Sequence, residues 1–200
     1  MELFFAATSD FRGDLAATAK GLAFVQVYAV YEFTVKTVVQ TAIDSINVHG
    51  HKMKDMKPSL MALYLDRELT SLRDAGRRNI WNARLRLFER VFGDEVISLP
   101  NNAGPPSDGS HYRHTHLITI FNVFGIARLP ARRRTHLYRI DEIVDHRNQI
   151  AHGNETAADV GRRYTRSEVT HRISQMKSVC LLLISVFDGF CADGSRHKRA

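Results

Sequence analysis

The chain has 200 residues, 44% of them hydrophobic, with a formal net charge of +7 and a pI near 9.7. That apolar content supports a folded core and excludes disorder as the default state, while the basic surplus favours an anionic partner: nucleic acid, acidic protein or anionic membrane. The two cysteines, Cys180 and Cys191, share one apolar segment and form neither a disulfide framework nor a zinc pattern, so they read as small core residues in a reducing compartment.

The opening MELFFAATSDF carries an acidic residue where a signal peptide is basic, and its apolar run is short. A cytoplasmic protein is expected. Helical periodicity dominates the rest of the chain. A first long helix is predicted over about 14–47. Its apolar run GLAFVQVYAVYEFTVKTVVQTAI is interrupted by Gln26, Glu32, Lys36 and Gln40, which marks a buried helix rather than a membrane span. Lys57-Pro58-Ser59 opens a second helix, with Gly76 as a break or bend, and NIWNARLRLFERVFG continues helical to a C-cap at Gly93. Residues 98–110, SLPNNAGPPSDGS, form the clearest loop. A short helix in HLITIFNVFG and a basic connector, RLPARRR, lead to a helix over about 135–152 closed by Gly153. GNETAADVGRRY reads as a loop with a helical turn, and Thr165 with Glu168 forms a capping box for the last helix. Residues 195–200 read as a frayed basic tail. The expected fold is all-α: an up-and-down bundle of four main helices with shorter ones inserted, in one domain over 1–194.

Two charges break the apolar patterning. At about 100° per residue, Ile140 falls about 20° from Arg147, and Ile143 and Ala151 about 40° from it, so Arg147 lies on the centre line of its helix's apolar face. Glu32 holds the same place on the first helix, between Val25, Val39 and Ile43. A buried charge without a partner costs several kcal/mol, so the economical expectation is that Glu32 and Arg147 meet. Such a pair either fixes helix register or holds a guanidinium at the rim of a cleft with donors left for a phosphate. His152 lies about 140° round from Arg147, on the polar edge with Asp141, Asp145 and Asn148. A histidine there ordinarily caps the helix; its company is what points to chemistry.

At Arg147-Asn148-Gln149-Ile150-Ala151-His152-Gly153 the sequence resembles the HEPN superfamily, whose ribonucleases carry an Arg-x4-6-His motif. The pattern by itself is weak, since about one Arg-x4-His match arises by chance at this composition. Arg166 to His171 is a second match without the Arg-Asn start or the closing glycine, and is treated as a decoy. The order of VYAVYEF, FNVFGI and LYRIDEIVDHRNQIAHG is similar to the RiboL-PSP type, with residues 50–110 contributing little. The resemblance implies an all-helical fold, a homodimer with motif helices lining a shared cleft, metal-independent RNA cleavage without a cofactor, and a toxin or antiviral role with a cognate antitoxin protein.

On that reading Arg147, His152 and Asn148 are the catalytic candidates. His152 transfers a proton, Arg147 stabilises phosphoryl charge, and Asn148 binds the phosphate or orients His152. One chain offers one motif histidine, so a dimer supplies both acid and base. Glu32 and Tyr28 are supporting residues. Tyr28 and Tyr31 are candidates for base stacking or for the core, with the core favoured for Tyr28. Arg128, Arg132, Arg133 and Arg134 are candidates for tracking the RNA backbone, or simply a soluble loop. Two rival readings stand beside this one. A non-catalytic HEPN nucleotide-binding or protein-interaction module binds without turnover. A metalloprotein using His111, His114 and His116 of HYRHTH lacks a completing Cys or second His pair, and no metal is expected.

Overall fold

A computed structural model of the chain describes residues 7–8, 10–99, 105–106 and 111–199. Among them the regular elements are all helical: α1 (Gly13–His49), α2 (Pro58–Tyr64), α3 (Asp66–Asp74), α4 (Ile80–Phe92), α5 (His114–Val123), α6 (Arg134–Ala151), α7 (Ala157–Arg162) and α8 (Arg166–Cys191), with 3-10 turns at Met53–Asp55 and Gly194–His197. Pairing of β type is limited, among the described residues, to two isolated bridges, Lys52 with Val96 and Met56 with Lys198. The chain forms two compact units, Met1–Lys36 with Ser107–Leu117 and Leu129–Ser185, and Thr37–Pro106 with Ile118–Arg128 and Val186–Ala200.

The first unit is built on α6 and the parts of α1 and α8 that lie in it. Along α1, Phe24, Tyr28, Tyr31 and Val35 recur at helical spacing and are buried. They share a core with Ile140, Ile143 and Val144 of α6 and with Val169, Met176, Val179 and Leu183 of α8. The order is up, down, up. Phe24 packs on His146 near the end of α6, while Arg139 and Arg172 converge on Glu142 between α6 and α8. Lys20 reaches the Tyr164 carbonyl and Thr34 bonds the Cys180 thiol, so α1 and α8 run parallel. The α7 helix crosses α1 where each contributes a glycine. A Cβ on Gly161 would overlap the Ala17 carbonyl, and one on Gly21 the Ala157 carbonyl. The capping box at Thr165 forms as expected: Thr165 N–H donates to Glu168 at 2.7 Å, and Glu168 N–H to the Thr165 hydroxyl at 3.2 Å.

The second unit is centred on an edge-to-face aromatic cluster of Phe121, Phe124, Phe187 and Phe190, with Ile43, Ile46, Met53, Met56 and Leu60 also buried. The helix expected after Pro58 breaks at Leu65 (φ −96°, ψ 3°) before its interruption around Gly76. Gly93 ends α4, but in extended rather than left-handed backbone. The α4 helix turns Trp81, Leu85, Phe88 and Phe92 outward, each more than half exposed, and buries no residue fully. The chain end corrects the expectation of a frayed tail. Lys57 N–H donates to the His197 carbonyl (3.0 Å), Arg199 N–H donates to Asp55 (2.9 Å), and the His197 ring is wholly buried against His51 at 3.1 Å. Backbone pairing to residues 55–57 and one anchored imidazole hold a segment whose polar composition alone reads as loose. Most of the expected loop over 98–110 lies outside the described residues.

Two helices, Gly13–His49 and Arg166–Cys191, have the length and apolarity to cross a membrane, and both put much of that apolarity into the cores of the two units. The two thiols are free, Cys180 buried and Cys191 half-buried.

Candidate active site

The α6 helix carries Leu137, Ile140, Ile143 and Val144 into the core, and the same spacing brings Arg147 to the rim of that stripe, half-buried. Its guanidinium carbon lies 5.1 Å from the centroid of the buried Tyr28 ring, a cation–π contact worth about 0.5–2 kcal/mol. Arg147 Nη1 donates to Asn148 Oδ1 and to His111 Nε2, each at 3.0 Å. Among the described residues, Nη2 and Nε enter no hydrogen bond, so the group keeps donors for an anion.

The helix ends just beyond. His152 N–H donates to the Asn148 carbonyl (3.0 Å), Gly153 N–H to Ile150 (3.2 Å) and Asn154 N–H to Gln149 (2.9 Å), with Gly153 at φ +71°. The last two of these bonds make a Schellman-type cap, which a glycine completes without strain. The cap leaves the His152 side chain exposed at the helix end.

The segment leading into α5 is clamped onto α6 by acid groups of that helix. Arg113 pairs with Asp145 at 2.6 Å, while Asp141 accepts the His114 backbone N–H at 3.0 Å and meets the His114 ring at 2.6 Å. The result sets His111 over the motif. Its Nε2 faces Arg147 and its Nδ1 lies 3.3 Å from the Tyr28 hydroxyl. Burial first, and then the Arg147 charge, hold the His111 ring below the usual imidazole range, with further lowering from His152 and Arg113 and an opposing pull from Glu32. Burial and the Glu32 charge push the Tyr28 phenol up to about 12. On the other side of α6, His146 meets the Tyr164 hydroxyl at 2.6 Å, and Tyr164 donates to Glu142 (3.0 Å), which also binds Arg139 and Arg172. That network fixes the helix bearing the motif to α8.

Several expectations change. The Glu32–Arg147 pair is not the one formed among the described residues: Glu32 bonds Lys36 one turn along α1 at 2.8 Å. Its side chain keeps 28% exposure, so it is not stripped of water and needs no buried countercharge. The two opposite charges instead both act on His111 and on Tyr28. Asn148 orients Arg147 rather than His152. Tyr28 and Tyr31 are core residues, with exposures of 1% and 0%, so neither ring has a face for a base. Arg132, Arg133 and Arg134 are exposed at the start of α6, about 20 Å of helix from Arg147; Arg128 is exposed in the second unit. The three histidines of HYRHTH diverge: His111 to Arg147, His114 to Asp141, and His116 to the Arg113 N–H at 3.1 Å. No group of three His, Cys, Asp or Glu side chains suited to a metal occurs among the described residues.

The all-helical frame with an Arg–His pair closing α6 coincides with what a comparison with protein families finds: the model of the HEPN_MAE_28990-like HEPN family matches residues 1–192. The chain belongs to this HEPN family. The match supports the HEPN superfamily and does not carry the finer RiboL-PSP assignment. Neither the curated proteins nor the solved structures give a significant match. Within the HEPN frame, Arg147, Asn148 and His152 are the residues the motif selects; Tyr28, a supporting residue in the sequence reading, meets Arg147 through its ring face, and His111 is the one that tertiary packing adds. His111 was legible only as part of a histidine-rich run, because it reaches Arg147 from 36 positions upstream.

Proposed function

We propose that this HEPN protein is a metal-independent endoribonuclease. The reaction begins when the RNA 2′-hydroxyl loses its proton and its oxygen attacks the adjacent phosphorus. The bond to the 5′-oxygen breaks, and that oxygen takes up a proton. The products are a 2′,3′-cyclic phosphate and a 5′-hydroxyl. The nucleophile belongs to the substrate, so the step needs two proton transfers and stabilisation of the phosphoryl oxygens. Arg147 is suited to the second task and His152 to one of the transfers. The observation that carries the reading is the pairing of a half-buried guanidinium, with donors in hand, and an exposed imidazole at the end of the same helix. Neither group is sealed in a core.

The basic surplus of the chain fits a polyanionic substrate. The superfamily resemblance supports a homodimer acting as a toxin or antiviral defence component, with a cognate antitoxin protein. Incubating wild type and His152→Ala with mixed RNA in EDTA tests the chemistry. Cyclic-phosphate ends from the wild type alone are expected; binding without cleavage by the wild type identifies a non-catalytic module instead.

A further inference from the structure

A histidine outside the motif sits where a second proton-transfer group is needed. The His111 Nε2 is 3.0 Å from Arg147 Nη1, and a guanidinium only donates, so Nε2 must present its lone pair to it. The ring proton is therefore on Nδ1, where the Tyr28 hydroxyl is its acceptor at 3.3 Å. Tyr28 is held in turn, since it is buried and its oxygen also accepts the Tyr112 backbone N–H. Orienter, imidazole and anion-binding group thus form a chain from core to rim, the arrangement by which a base is fixed in one tautomer. For Nε2 to act as a base, its lone pair must be released from Arg147 Nη1 when a phosphate engages the guanidinium, which leaves it open to the neighbouring 2′-hydroxyl. The ring is only partly exposed, and Arg147 and His152 of α6 and Arg113 of its own segment all disfavour its protonation, against Glu32 of α1 alone. A neutral imidazole is what a base requires.

We propose that His111 is the general base of this site, its Nε2 taking the 2′-hydroxyl proton while His152 gives a proton to the departing 5′-oxygen. Each chain then carries a candidate base as well as a candidate acid. The assignment rests on the ribonuclease reading.

The test compares wild type, His152→Ala, His111→Ala and His111→Gln on a fluorescent single-stranded RNA, with kcat, KM and the pH–rate profile, and melting curves for each protein. The glutamine retains an acceptor for Arg147 but cannot take a proton. Both His111 variants are expected to lose about 10²–10⁴-fold in kcat with little change in KM, and the acidic limb of the wild-type profile should vanish in the residual activity. Added imidazole should restore turnover to His111→Ala. A His111→Gln protein with wild-type kcat and an unchanged profile overturns the proposal, because the residue then only positions Arg147. In that event cleavage by wild type and its loss in His152→Ala still uphold the ribonuclease reading; a wild type that cleaves no RNA sinks both.

Discussion

At the scale of single residues, Arg147 shows how a charge can occupy an apolar stripe without a buried countercharge. The Tyr28 face, the His111 lone pair and the Asn148 oxygen share the work an ion pair was expected to do. Arg147→Ala is therefore expected to lose RNA affinity and cleavage together, while costing only about 1 kcal/mol in urea denaturation. Glu32→Ala should cost less than about 0.5 kcal/mol, as an exposed i,i+4 pair does; a loss of several kcal/mol would restore the buried pair with Arg147. Periodicity made the position of Arg147 legible, because angles around one helix follow from spacing alone. Its partners were not legible, since His111 and Tyr28 come from segments far away in sequence.

Among elements, the end of α6 and the crossing of α1 with α7 make contrasting demands on glycine. Gly153 stands at φ +71° with open space around it, so Gly153→Ala should cost about 1 kcal/mol and tilt the histidine before it, lowering kcat more than thermal stability. Gly161 is limited by contact instead: its missing Cβ is where the Ala17 carbonyl lies. Gly161→Ala must push two helix backbones apart, and a loss of about 1–3 kcal/mol in a thermal or urea melt is expected. An unshifted melt would contradict that packing. The Gly153 cap and the Thr165–Glu168 box are local in sequence and could be read from it. A glycine inside a helix-forming stretch signals only a weak propensity, and which backbone it admits is a tertiary matter.

For the whole molecule, charge and acid response arise from different residues. With a surplus of +7, single-stranded RNA binding should weaken steeply with salt, log affinity falling by about 0.7 per phosphate engaged for each tenfold rise in salt. A slope near zero removes the electrostatic part of recognition. Acid stability follows the histidines whose charging burial opposes, His111, His136 and His146 in the first unit and His51 and His197 in the second. Burial, followed by the His51 and His49 charges, lowers His197 from 6.5 to about 4. The folded chain then binds fewer protons than the unfolded one between those values. Stability is full above about pH 6.5 and falls as pH drops toward 4, by up to roughly 3 kcal/mol if His197 acts alone. His197→Gln should reduce the fall in melting temperature across that window, with His51, His111, His136 and His146 supplying what remains.

The sequence alone determined the all-helical character, the extents of α1, α6 and α8 to within a residue or two, the terminal cap of α6 and the place of the Arg147–His152 motif at the end of that helix. All of these depend on spacing within a few turns of chain. Tertiary structure decided what those residues meet. It sent Glu32 to Lys36, buried Tyr28 and Tyr31, anchored the C-terminal segment through His197, and set His111 on the motif. Contacts between distant segments depend on how helices pack, and a periodic pattern defines the face that packs without naming the side chain it will find there.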